Sequence, residues 1–105
     1  MTTDEIPPVS ILLVDDHEEN LVALRAILAS PEYRLVSVTS GEEALSALLR
    51  DEFALVLLDV VMPKMSGFEV ANHMKQLERT RRIPIVFLTA VATDIEQIYE
   101  AYSIG

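Results

Sequence analysis

Asp15 and Asp16 stand together at the end of the apolar run Val9-Ser10-Ile11-Leu12-Leu13-Val14, and Asp59 closes a second run, Ala54-Leu55-Val56-Leu57-Leu58. Short continuous apolar runs read as strands buried on both faces, as in a parallel α/β sheet. Carboxylates do not belong inside such strands. They belong at the carboxyl edge of the sheet, where open α/β folds place their ligands. Gathered there, three carboxylates repel one another and are costly to keep ionised unless a cation joins them. Oxygen donors of this kind suit a hard divalent ion, and Mg²⁺ is the expected one.

The elements that must position these acids alternate along the chain. Residues 1–8 read as a flexible lead-in ending at Pro7-Pro8, and the domain proper runs over 9–105. Strands are predicted at Val9–Val14, Arg34–Thr39, Ala54–Leu58 and Ile85–Thr89. Between the first two, Leu21, Leu24, Ile27 and Leu28 have helical spacing, and Pro31 follows as a stop. Capping-box patterns at Ser40/Glu43, Ser66/Glu69 and Thr93/Glu96 open three further helices. Ala44, Leu45, Leu48 and Leu49 follow the first box, and Val70, Ala71, Met74 and Leu77 the second. Connections of this length imply parallel strands with helical crossovers. The predicted fold is α/β, a flavodoxin-like doubly wound parallel sheet of order 2-1-3-4(-5). That order reverses between strands one and three, so Asp15, Asp16 and Asp59 fall in one crevice.

Composition narrows the function classes. At 105 residues the chain is one domain, and its net charge of −9 argues against direct nucleic-acid binding. No apolar stretch approaches membrane-spanning length. The chain has no cysteine, so a disulfide framework or thiolate metal site is excluded, and a reducing cytoplasm is the expected location. A flavodoxin-type phosphate loop is missing too. The segment Asp15-Asp16-His17-Glu18-Glu19-Asn20 would repel a phosphate not screened by metal. A phosphatase using a strand-one aspartate is an alternative, but it leaves Asp59 and the loop after it unexplained. A scaffold that is never phosphorylated is another.

The segment Leu57-Leu58-Asp59-Val60-Val61-Met62-Pro63-Lys64-Met65-Ser66-Gly67, taken with Val14-Asp15-Asp16 and Ile83-Pro84-Ile85-Val86-Phe87-Leu88-Thr89-Ala90, resembles the receiver domain of two-component response regulators and hybrid histidine kinases. The resemblance implies a phosphoacceptor in a phosphorelay, not an enzyme that releases a product. It implies that Asp59 accepts a phosphoryl group from a kinase phosphohistidine and that Asp15 and Asp16 bind Mg²⁺ with Asp59. It also implies a metal bond from the Val61 backbone carbonyl and a phosphoryl hydrogen bond from Thr89, which acts as the switch. The partners would be a histidine kinase or phosphotransfer protein and an output domain that the sequence does not name.

Other residues near the acids read blandly. Pro63 and Gly67 are explained by turn chemistry, Lys64 by an exposed loop, and His17 by a helix start. Arg79, Arg81 and Arg82 read as a solvated helix end. The family's fifth strand, its lysine and its fifth helix have no counterpart up to Gly105, and no Lys or Arg follows Arg82. The expectation is a receiver incomplete at its C-terminus. Strand four would then be an apolar edge able to pair with a second copy in a homodimer.

Overall fold

The two strands that lead into the carboxylates lie side by side at the centre of the sheet. The computed structural model describes residues 6–88. Thr89 and the Thr93/Glu96 box lie outside them, as does the helix that box would open. Within 6–88 the order is β1 (Val9–Val14), α1 (Glu18–Leu28), β2 (Tyr33–Val38), α2 (Gly41–Arg50), β3 (Leu55–Asp59), α3 (Gly67–Gln76) and β4 (Ile85–Leu88). All neighbouring strands are parallel, and the sheet order is β2-β1-β3-β4. The doubly wound order expected from the sequence is present, with its reversal between β1 and β3.

Alternation along the strands divides the core between two faces. Leu12 and Val14 of β1, with Val56 and Leu58 of β3, pack against Ala44 and Leu48 of α2 and Val70 and Met74 of α3. Ile11, Leu13 and Leu57 face the other way, against Leu21 of α1. Helices on both faces explain why the central strands are continuously apolar rather than alternating. The helical stripes are narrower than their sequence spacing suggests: Ile27, Leu49 and Leu77 are exposed. α3 ends at Gln76, so Leu77 is its C-cap and no longer on the buried stripe.

Two helix starts carry the expected caps. Ser66 Oγ accepts from the Glu69 amide, and the Glu69 carboxylate accepts from the Ser66 amide, completing a capping box. Ser40 Oγ likewise accepts from the Glu43 amide, but the Glu43 carboxylate takes the Thr39 amide and hydroxyl instead. These two bonds hold the Glu43 carboxyl below its usual value. At the opposite ends of the helices, Arg79 Nε donates to the Leu48 carbonyl. Arg79 therefore ties the segment after α3 to α2, where a solvated helix end was expected. On β2, Arg25 of α1 donates to the Leu35 carbonyl and to Ser37 Oγ.

Candidate functional site

The register of the two central strands brings the acids together. β1 pairs with β3 through Val14↔Leu58, so the next residues, Asp15 and Asp59, emerge side by side at the carboxyl edge. Asp16 follows Asp15 into the turn before α1. Asp15, Asp16, His17 and Asp59 each present one ligand atom, and these atoms all lie within 4.8 Å of one another. The three sequence-predicted carboxylates thus share one site, and His17, read from sequence as a helix-start residue, stands with them.

Each acid has a different local role. Asp15 is buried, with its Oδ1 accepting from the His17 amide at 2.9 Å and its Oδ2 from the Asn20 side-chain amide at 3.1 Å. It fixes the turn into α1. His17 occupies the N-cap position but makes no side-chain cap bond. Asp59 is partly buried, and the Val61 amide donates to its Oδ1 at 3.3 Å. Asp16 is left with a buried Oδ1 that has no hydrogen-bond partner. The nearby His17 Nδ1, 3.2 Å away, meets it in ion-pair rather than hydrogen-bond geometry.

That unpartnered oxygen, among two further carboxylates, is what a bound cation would satisfy. The donor set fits a hard divalent ion in composition: carboxylate oxygens at the edge of a sheet, with backbone carbonyls in the adjoining loop. The electrostatics point the same way. Burial, followed by the charge of Asp15, pushes the Asp59 carboxyl up from 3.8 to about 7. The His17 imidazole is held above its ordinary value, first by the charge of Asp16. The site therefore retains protons where it lacks a metal, and a cation would displace them.

The loop after Asp59 is shaped by features that sequence reasoning treated as ordinary turn chemistry. Gly67, the first residue of α3, donates its amide to the Val60 carbonyl at 2.9 Å. A Cβ at Gly67 would overlap the carbonyl oxygen of Asp59. The glycine is required by this close approach, not by a left-handed backbone, since no glycine among the described residues has positive φ. Lys64 is the residue that does, at φ 69°. It forms the centre of a tight three-residue turn in which the Met65 amide donates to the Pro63 carbonyl at 2.8 Å. Val61 is exposed in this loop. Thr89 lies outside the described residues.

Comparison with known proteins agrees with the fold. Residues 11–105 match the response regulator receiver domain family. Over 89 residues the chain is 42% identical to a probable cyclic di-GMP phosphodiesterase of Vibrio cholerae, covering 85% of this chain but only 20% of that protein. Among solved structures, the N-terminal domain of a response regulator receiver protein from Methanoculleus marisnigri superimposes with a TM-score of 0.78 at 37% identity. That match covers 90% of this chain and 77% of the other. The receiver domain of the Pseudomonas aeruginosa sensor histidine kinase PA1611 also has a TM-score of 0.78, at 31% identity, with coverage of 90% and 80%. It carries a magnesium ion coordinated in its active-site cleft. The chain belongs to the response regulator receiver domain family. Among the described residues no helix is long and apolar enough to cross a membrane.

Proposed function

We propose that residues 9–105 form a phosphoacceptor signalling domain in which Asp59 receives a phosphoryl group from the phosphohistidine of a histidine kinase or phosphotransfer protein. The observation that carries this reading is the meeting of Asp15, Asp16 and Asp59 at the switch point, with one Asp16 oxygen buried and unpartnered. One Asp59 oxygen attacks phosphorus; the new O–P bond forms as the P–N bond breaks, and the electron pair leaves with the histidine nitrogen. The Val61 amide bonds Asp59 Oδ1 and so orients the carboxylate for attack. Asp59 must be ionised to react, and positive charge in the site opposes the burial and the Asp15 charge that keep it protonated. Mg²⁺, held by Asp15, Asp16, Asp59 and the Val61 carbonyl, would supply that charge and neutralise the phosphoryl oxygens. Thr89 completes the reading as the hydroxyl that bonds the phosphoryl group. Its displacement biases the surface seen by an output domain or partner. The chain in this role is an acceptor whose product is its own altered surface.

The test is incubation with acetyl phosphate and Mg²⁺. An acid-stable, base-labile adduct is expected on the wild-type chain and not on Asp59→Asn. A comparable adduct on Asp59→Asn refutes the assignment.

A further inference from the structure

His17 is the one member of the cluster that is not an oxygen donor. Its Nδ1 lies 3.2 Å from Asp16 Oδ1 and 3.5 Å from Asp15 Oδ1, and its side chain is more than half exposed. Nothing in the fold of α1 requires it there, because its ring makes no cap bond and Asp15 anchors the turn. The ring can therefore adjust toward an ion held by the acids without undoing packing. A site of carboxylates alone favours Mg²⁺, Ca²⁺ or Mn²⁺, whereas an imidazole nitrogen raises affinity for the later first-row ions. The buried, unpartnered Asp16 Oδ1 lies next to this nitrogen, so both atoms can serve one ion.

We propose that His17 supplies an imidazole nitrogen to the acidic site, making it a mixed nitrogen–oxygen centre. This centre binds Co²⁺, Ni²⁺ or Zn²⁺ in preference to Mg²⁺. The inference rests on the divalent-ion reading of the Asp15–Asp16–Asp59 site and adds its selectivity. A transition ion held this way competes with Mg²⁺ for the carboxylates that phosphoryl transfer uses, so the domain's signalling becomes sensitive to the available metal.

The test compares the whole wild-type chain with His17→Asn and His17→Ala. Asparagine is a preferred N-cap residue, so the first variant is not expected to lose α1. Calorimetric titration with Co²⁺ should show about tenfold or greater loss of affinity in both variants, the size of loss typical for residues that support a metal centre. Mg²⁺ affinity should not fall in either variant, because Mg²⁺ prefers oxygen ligands and no longer competes with a proton on His17. With Mn²⁺ bound, electron spin echo spectra should carry ¹⁴N modulation from imidazole in the wild type and lose it in the variants. Equal Co²⁺ affinity in all three proteins overturns the proposal, as does nitrogen modulation that persists without His17. If either occurs while Asp59 is still phosphorylated with Mg²⁺, only the selectivity claim falls. If no divalent ion binds the wild type, the underlying site reading falls with it.

Discussion

Replacing Asp59 by asparagine removes one negative charge from the cluster while keeping the size of the side chain. In the metal-free protein that charge opposes folding. The carboxyl rises from 3.8 to about 7 on folding, through burial first and the neighbouring Asp15 second. An acid whose value is raised holds its proton more tightly in the folded state, so stability is greatest near pH 4. It is lost as pH rises through about 7. At about 1.4 kcal/mol per pH unit the full rise is worth roughly 4 kcal/mol, an upper bound for a carboxyl shut off from water. Asp59 is only partly buried, and solvent screens it. A gain of about 1–2 kcal/mol for Asp59→Asn at pH 8 is the realistic expectation. Urea unfolding in EDTA measures it directly: the variant's midpoint should exceed the wild type's at pH 8, and the gap should close toward pH 4. Saturating Mg²⁺ should stabilise the wild type by mass action, about 2.7 kcal/mol at a hundredfold excess over Kd, and narrow the gap. A variant no more stable than wild type at pH 8, or a gain independent of pH, would refute the account of repelling, desolvated carboxylates.

Gly67→Ala should destabilise the fold by about 1–3 kcal/mol in the same urea assay, because its methyl group meets the Asp59 carbonyl, which cannot rotate away. It should also slow phosphorylation by acetyl phosphate, since relief of the overlap moves the end of β3. Lys64→Gly should raise the melting temperature, corresponding to about 0.5–1 kcal/mol, by relieving a side chain held at φ 69°. A lower melting temperature would mean that the lysine stem contributes packing worth more than the strain.

The parts of this protein that could be read from its sequence are those set by short-range pattern. β1 was legible to the residue, because Pro8 and the acid pair bracket a run that is apolar but for Ser10. The Ser66/Glu69 box was legible because both of its bonds are local. At Ser40 the same letters gave only half a box, since the Thr39 amide and hydroxyl together outbid the Ser40 amide for Glu43. The acid site was legible because strand order brings Asp59 beside the Asp15-Asp16 pair. The role of Gly67 was not, as a clash with Asp59 depends on how closely α3 approaches β3 and leaves no local signal. Nor was the φ of Lys64, a residue type with no preference for the left-handed region. His17 could be seen beside the acids, yet only the turn anchored by Asp15 decides that its ring lies over Asp16.

The bond from Arg25 to Leu35 has a bearing on how this sheet meets other chains. The amides of Val9 and Asp15 bond the carbonyls of Glu32 and Val38 across the β1–β2 seam, so Leu35, of the opposite parity, turns its carbonyl outward. Arg25 occupies that outward acceptor with a charged group and steadies itself on Ser37 Oγ. An extended peptide trying to lengthen the sheet here would have to evict a guanidinium and strand its charge beside a new backbone. The β2 rim thus presents a charged side chain at the acceptor where an added strand would have to bond.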